Sequence, residues 1–309
     1  IDRETIESLR ADHPAEVLNT QPGVNVQMNS GQELLVSIRS PVLTGGAGQG
    51  SFLFLENGVP TRAPAQGNVN ALFEVHHEIA DAIEIVRGPG SVRYGSNAVH
   101  GLINIIAPEP DPSRGTQLTL SANTLQRYRA DLETHFSEAG VDYFSGLSIV
   151  DDAGWRSQSG VDMQKLSFRS KWEGTTWNVI SSLSAMNLNQ ETAGFADDYR
   201  DEDVARDNPN PEAYRDAWAA RANVRFERAL SDTSTLTITP FAITQRMIFA
   251  QHFLPNGGTE KNGHDSLGVL GRYDFGPDNL RVSIGGDAQW STGFLTEIQE
   301  EPFGFFPGD

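Results

Sequence analysis

The chain of 309 residues contains no cysteine. Disulfides, thiolate zinc sites and cysteine nucleophiles are therefore excluded within it. It also lacks any run of about 18–20 apolar residues, which excludes a transmembrane helix in this sequence. A membrane β-barrel stays possible, because barrel strands show only alternating hydrophobicity.

Basic residues are scarce. The chain has 23 Lys and Arg against 41 Asp and Glu, a formal net charge of −18. Nucleic acid is disfavoured as a partner, because binding to phosphates requires basic patches. The hydrophobic content of 38% is ordinary and permits a packed core.

The most informative segment is 82–106, AIEIVRGPGSVRYGSNAVHGLINII. It reads as a strand, a Gly-Pro turn, a short helical turn, a bend and a second strand. The segment closely resembles the end of the plug domain of TonB-dependent outer-membrane receptors. The positions that match this family's pattern are Ile83, Glu84, Arg87, Gly88, Pro89, Ser91, Tyr94, Gly95, Ala98, Gly101 and 103–105.

Three earlier motifs extend the resemblance over roughly residues 1 to 108. They are PGV at 22–24, SIR at 37–39, where Ser40 replaces the family's glycine, and FLENGVP at 54–60. The resemblance implies a plug domain at 1–110, with the TonB box and first plug strand expected upstream of Ile1. Within it we predict helix N-caps at Asp2 and Asp12, with Pro14 in the first turn of the second helix.

Short strands are predicted at 24–28, 34–38 and 52–56, and Asn57-Gly58 is typical of a hairpin turn. Three prolines in 108–112 then interrupt the chain. From residue 116 onward, long strands with period-two alternation follow. In 127–136, for example, Tyr128, Ala130, Leu132, Thr134 and Phe136 share one face.

Nine such strands are predicted, near 116–123, 126–137, 141–151, 163–173, 175–188, 213–229, 233–248, 265–275 and 279–293. Short turns alternate with long connections, as in outer-membrane barrels. The expected fold is mostly β: a mixed α/β plug at 1–110, and at 111–309 the N-terminal part of an antiparallel transmembrane barrel. Plugged transporters have about 22 strands, so we expect the nine to belong to a larger barrel. A soluble β-sandwich is the alternative, although its strands are usually shorter.

The resemblance also implies a function. It implies TonB-dependent active import of a scarce ligand across the outer membrane of a Gram-negative bacterium, with the plug gating the barrel. A ferric siderophore or other metal complex is the expected ligand, and cobalamin or an oligosaccharide is the alternative. The expected partners are TonB, outer-membrane lipid and lipopolysaccharide. Neither enzymatic activity nor a cofactor is expected. A soluble β-rich binding protein is the alternative from a different class.

Two loops, 41–50 and 61–75, are expected to face outward, because each joins strands on the same side. Candidate ligand contacts there and just beyond are Arg62, Gln66, Asn68, Asn70, Phe73, His76 and His77. Adjacent histidines point apart, so we predict no metal site at 76–78; one ring would face the ligand and the other would pack. The resemblance assigns Arg39 and Arg87 to locking the plug onto carboxylates of the barrel wall.

Overall fold

Strands dominate the computed structural model, which describes residues 1–42, 50–68, 70–196, 198, 200–250, 258–277 and 279–299. They form sheets of two, four and nine strands. Most of the predicted outward loop 41–50 and the C-terminal residues 300–309 lie outside the described residues. We call the part up to residue 106 the plug and the nine-stranded sheet the wall.

The plug begins with two short helices, α1 (Arg3–Leu9) and α2 (Pro14–Leu18). Asp2 caps α1 as predicted, since its side chain accepts from the Thr5 amide at 3.0 Å. The predicted cap at Asp12 is wrong. His13 caps α2 instead, with Nδ1 accepting from the Ala15 amide at 3.1 Å. Proline favours the first helical position, so Pro14 places the cap at the residue directly before it.

Two sheets complete the plug. Their strands are β1 (Val24–Met28), β2 (Leu34–Ile38), β3 (Phe52–Glu56), β4 (Val59–Pro60), β5 (Ala82–Arg87) and β6 (Gly101–Ile106), with a short helix α3 (Ser91–Tyr94) between β5 and β6. The order of the larger sheet is β4-β3-β6-β5, and β3 runs parallel to β6. The apolar run of β6 suits a strand covered on both faces. The Asn57-Gly58 hairpin is confirmed, with φ of 53° and 81° at its two residues.

The wall confirms the nine predicted strands. They are β7 (Thr116–Ala122), β8 (Arg127–Glu138), β9 (Val141–Asp152), β10 (Val161–Glu173), β11 (Asn178–Glu191), β12 (Tyr214–Ser231), β13 (Ser234–Ala250), β14 (Thr259–Phe275) and β15 (Val282–Ile298). Each strand pairs antiparallel with its neighbour in sequence. A helix α4 (Glu202–Arg206) lies in the connection between β11 and β12.

The two ends of the wall differ in the length of their connections. Short turns join β8 to β9 and β12 to β13, whereas long segments join β9 to β10 and β11 to β12. Barrels of the outer membrane have longer connections on the extracellular side, so we call the end with long connections the outer end. Among the helices that the structure describes, none is both long and apolar enough to span a membrane.

Strand β8 shows how the alternation is used. Arg127, Asp131, Glu133 and His135 are buried, whereas Tyr128, Leu132 and Phe136 are exposed. The polar face therefore lies against the plug and the apolar face points away from it. The plug's last strand ends at Ile106 and β7 begins at Thr116. The expected division at 110 falls between them and stays a prediction.

The plug approaches the wall closely at Gly146 of β9. A Cβ atom at this position would lie 2.3 Å from Cδ1 of Ile79, a plug residue that is 4% exposed. We expect Gly146→Val to lower the free energy of unfolding by about 1–3 kcal/mol, because the overpacked side chain must displace Ile79. Thermal unfolding of the intact protein in detergent measures this. Gly286→Val in β15 is the control, because nothing lies within 4 Å of its added Cβ. Equal losses in both variants would contradict the close contact.

Candidate functional site

Arg221 of β12 is held by two plug carboxylates. Its Nε donates to Glu56 Oε2 at 2.8 Å, and its Nη1 lies 3.5 Å from Glu74 Oε2. Glu56 ends strand β3, and Glu74 ends a short 3-10 helix, Ala71–Glu74. Arg221 and both glutamates are buried. One wall cation therefore ties two separate elements of the plug to the barrel.

The charges around Arg221 balance. Arg62 of the plug donates from Nε to Glu74 Oε1 at 2.9 Å, so Glu74 lies between two arginines. Burial by itself would raise the pKa of Glu56, but Arg221 and a 2.6 Å hydrogen bond from Ser184 lower it below its ordinary value. Two arginines face two glutamates in this buried cluster, and their pairing reduces the cost of removing each charge from water.

A second cluster joins the plug segment 75–78 to β9 and β10. Lys165 of β10 donates from Nζ to Glu78 Oε1 at 2.8 Å and to the Val75 carbonyl at 2.9 Å. His76 bridges two wall serines, with Nε2 at 2.7 Å from Ser148 Oγ and Nδ1 at 2.9 Å from Ser167 Oγ. The segment is therefore clamped to both strands.

The titration states of this segment follow from its burial. Burial lowers the pKa of His76 to about 4 and that of His77 to about 3, so both rings are neutral at neutral pH. Burial by itself would raise the pKa of Glu78, but the neighbouring Lys165 ammonium helps to lower it well below its ordinary value. The buried Lys165–Glu78 contact is therefore an ion pair. No group of three or more metal-ligating side chains occurs in the described parts of the chain.

The turn between β1 and β2 holds the outer part of the plug against the wall. Arg215 of β12 donates to Glu33 at 2.7 Å, and Gln190 of β11 accepts from the Gln32 amide at 2.7 Å. Ser30 Oγ accepts from the Ala193 amide at 2.8 Å. These contacts occur at the outer ends of β11 and β12, so this turn faces the outer end.

The ion pairs across the plug–wall interface mostly have one polarity. Plug carboxylates meet wall cations in the pairs Asp12–Arg127, Glu33–Arg215, Glu56–Arg221, Glu74–Arg221 and Glu78–Lys165. The opposite polarity occurs where Arg3 of the plug meets Glu133 of β8 at 2.8 Å. The resemblance leads to the reverse expectation, plug arginines on wall carboxylates.

The two arginines expected to lock the plug make other contacts. Arg87 donates to the Pro22 carbonyl at 2.7 Å, within the plug. The side chain of Arg39 lies against Gly23, also in the plug. Neither forms an ion pair within the part of the chain that the structure describes. A locking role for Arg39 and Arg87 stays a prediction.

The outer end holds a cavity of about 440 Å³. The plug contributes the turn residues 28–32 together with Asp12, and the wall contributes residues from the connections at 123–127, 152–161 and 193–196. Trp155 and Phe195 expose 50% and 71% of their surface there. The volume and the mixture of aromatic and polar groups suit a small molecule.

The cavity's charges balance as well. Arg127 pairs with Asp152 at 2.7 Å and with Asp12 at 3.1 Å. Arg156 is held by main-chain carbonyls instead, with Nη1 donating to Gly194 at 2.6 Å and Nε donating to Asp207 at 3.1 Å. Its guanidinium is therefore oriented by the loop backbone at the rim of the cavity.

The predicted ligand contacts do not line this cavity. Arg62, Phe73, His76 and His77 are buried where the plug meets the wall. The amide oxygen of Asn70 accepts from the Leu34 amide at 2.7 Å, and that of Asn68 accepts from the Asn70 amide at 2.8 Å. Gln66 is partly buried near Gly293. A ligand role for these residues stays a prediction.

Sequence reasoning missed the plug's contribution to the cavity. The turn Asn29-Ser30-Gly31 separates two strands that the sequence does predict, so the turn itself is visible. Which end of the wall a turn reaches depends on how the plug is oriented inside the barrel. The sequence indicates more clearly that Lys165 and Arg169 lie on the polar face of the wall, because they alternate with Leu166 and Phe168 along β10.

Removing the charge of Arg221 tests the central cluster. We expect Arg221→Gln to lower the free energy of unfolding by about 3–5 kcal/mol, because Glu56 and Glu74 then stay buried without their wall cation. Chemical unfolding of the intact protein in detergent measures the loss. The control is Arg225→Gln on the same strand, whose side chain is 45% exposed and which should cost at most about 1 kcal/mol. Similar losses in both variants would show that Arg221 is not a buried anchor.

Stability should fall in mild acid. Unfolding restores the ordinary pKa of about 6.5 to His76, so the unfolded chain binds a proton that the folded protein excludes until about pH 4. His76 alone should cost about 2 kcal/mol of stability on going from about pH 7 to about pH 5. Unfolding midpoints across this range measure the slope, and His76→Asn should flatten it. An unchanged slope in that variant would contradict the buried neutral state of His76.

Comparison with known proteins agrees with this architecture. Residues 1–102 match the family model TonB-dependent Receptor Plug Domain. The vitamin B12 transporter BtuB of Vibrio vulnificus (strain CMCP6) is 27% identical over 198 residues, 63% of this chain and 30% of BtuB.

Two solved structures share the fold. The unliganded ferric citrate transporter FecA has a TM-score of 0.76 at 17% identity, over 96% of this chain and 47% of FecA. The open form of the ferric-catecholate import receptor Fiu from E. coli K12 has a TM-score of 0.73 at 14% identity, over 95% of this chain and 49% of Fiu. The chain thus spans about half the length of these two proteins.

The matched relatives are transport receptors rather than enzymes, and such receptors are located in the outer membrane of Gram-negative bacteria. The family model covers the plug, and the structural matches extend over the nine strands that follow it. Residues 1–102 of the chain therefore form a TonB-dependent receptor plug domain, and the nine antiparallel strands that follow share the fold of FecA and Fiu.

Proposed function

We propose that the protein imports a small-molecule ligand across the outer membrane with energy supplied through TonB, and that the plug gates the passage. One observation carries this proposal: the turn at 29–33 both lines the outer cavity and holds the plug on the wall. A ligand that binds in the cavity therefore contacts the groups that anchor the plug. Differential binding of this kind shifts the plug between two arrangements.

The buried ion pairs of the interface support the proposal that import needs an external energy source. Opening a passage separates the buried ion pairs of Glu33, Glu56, Glu74 and Glu78 from the wall. Breaking a buried pair on one side costs about 3–5 kcal/mol, so several together exceed what a typical ligand contributes in coupling, about 1–3 kcal/mol. A pulling partner such as TonB supplies the difference, and lipid and lipopolysaccharide surround the barrel.

We propose a ferric siderophore or other metal complex as the ligand. The fold matches include receptors for ferric citrate and ferric catecholate by name. The similarity to a vitamin B12 transporter favours cobalamin as the second candidate. We also propose that residues 1–110 form the plug domain and that residues 111–309 belong to the barrel. In the same proposal, Arg39 and Arg87 lock the plug onto the barrel wall.

A disulfide across the interface tests gating. The chain has no cysteine of its own, and Ser30 Oγ lies 2.8 Å from the Ala193 amide. We expect the oxidised double variant Ser30→Cys/Ala193→Cys to bind ligand at the cell surface but to import none, since the turn cannot leave the wall. Reduction should restore import. The measurement is uptake of radioactive iron complexes and of labelled cyanocobalamin by cells with and without TonB.

The single variants Ser30→Cys and Ala193→Cys are the matched controls and should import normally under oxidation. Import that continues in the oxidised double variant would contradict movement of this turn. Import that does not depend on TonB would contradict the energy coupling, and uptake of cobalamin alone would replace the siderophore as the ligand.

A further inference from the structure

Cations are concentrated on the face of the wall that the plug covers. The buried Lys and Arg side chains of the described wall strands are Arg127, Lys165, Arg169, Arg215 and Arg221, and the buried acids are Asp131 and Glu133. The buried wall side chains thus carry more cations than carboxylates, five against two, whereas the whole chain has a net charge of −18. The basic residues are thus placed selectively under the plug.

Four of these cations form a file across β10 and β12. Strand β11 lies between β10 and β12, so its pairing with both strands relates their levels. Lys165 pairs with Met186, which pairs with Ala219 of β12. Arg169 pairs with Ser182, which pairs with Asn223 of β12. The order from the outer end inward is Arg215, Lys165, Arg221, Arg169. From 215 to 223 the file extends over roughly 26 Å at about 3.3 Å per residue, a large part of the barrel's depth.

Three cations in the file pair with carboxylates of the plug, and the fourth is held by the segment that directly follows the plug. Arg215 pairs with Glu33, and Lys165 pairs with Glu78. Arg221 pairs with both Glu56 and Glu74. Arg169 donates to the main-chain carbonyls of Ala107 at 2.7 Å and Pro108 at 3.0 Å. When the plug shifts, Arg215, Lys165 and Arg221 lose their carboxylates together. Among the described residues Arg169 has no carboxylate to lose, and cations without partners on the wall are unfavourable.

We infer that the receptor carries an anionic ligand, whose carboxylate, catecholate or phosphate oxygens replace the plug carboxylates on the wall cations during passage. This inference rests on the proposed function, because it requires the plug to move. A file of like charges along a low-dielectric wall attracts anions and repels cations. The cavity at the outer end has two arginines and two aspartates among its lining residues. The wall therefore selects during passage and not during first binding.

Two ferric complexes of similar size but different charge test whether the charge of the ligand controls its uptake. In cells whose intact receptor is the sole TonB-dependent receptor, we compare uptake of a radioactive iron tris-catecholate, which is anionic, with that of a neutral tris-hydroxamate. The anionic complex should be imported at least about tenfold faster. Faster or equal import of the neutral complex, or import of neutral cyanocobalamin instead of either, would overturn the inference and leave TonB-dependent import standing.

Arg169→Gln tests the wall itself, because glutamine can still donate to the main-chain carbonyls of 107 and 108. We expect uptake of the anionic complex to fall about tenfold at unchanged surface binding, with Arg169→Lys restoring it. Arg272→Gln is the control, since that side chain is 52% exposed on β14. Loss of surface binding together with uptake would point to a structural role and contradict selection by the wall.

Ion selectivity gives a readout that needs no ligand. In planar bilayers, with the plug of the intact receptor loosened by urea, the reversal potential under a salt gradient should show preference for the anion. Arg169→Gln should reduce that preference. A cation-selective passage would overturn the inference, whether or not the iron complexes are imported. Failure to import either iron complex would contradict the proposed ferric ligand instead.

Discussion

The structure depends on the rule that a buried charge requires a partner. Arg221 has no carboxylate partner on its own strand and takes Glu56 and Glu74 from two different elements of the plug. Because each group is buried only when the plug is seated, neither half of the contact is stable without the other. The position of the plug inside the barrel follows from this pairing and from the similar contacts of Glu33 and Glu78.

The same rule separates two kinds of stability in the molecule. The core of the plug is apolar, with Leu18, Leu34 and Ile103 among its fully buried residues. Its junction with the wall is largely polar, although a smaller apolar cluster forms around Phe73. Water can solvate the charged groups when the junction opens, whereas an opened apolar core would lose its main driving force. Separating the plug from the wall would therefore expose less apolar surface than unfolding the core of the plug.

Much of the local structure could be predicted, because it depends on short-range rules. The strands 24–28, 34–38 and 52–56 match the structure residue for residue, since apolar alternation and flanking turns define them. The wall strands match in number, and their ends differ by a few residues where pairing continues past the periodic pattern. The cap at His13 was missed, because the preference of Pro14 for the first helical position outweighed the usual preference for aspartate.

The candidate site could be predicted only in part. Period-two alternation already placed Arg127, Asp131 and Glu133 on one face of β8, but it could not say which groups in the plug they would meet. The sequence by itself determined the family resemblance, the strand order and the sidedness of each strand, because these depend on neighbours a few residues away. The tertiary structure decided that plug carboxylates meet wall cations and that the turn at 29–33 faces the outer cavity. Those contacts join residues more than a hundred positions apart, and only packing of the plug inside the wall brings such residues together.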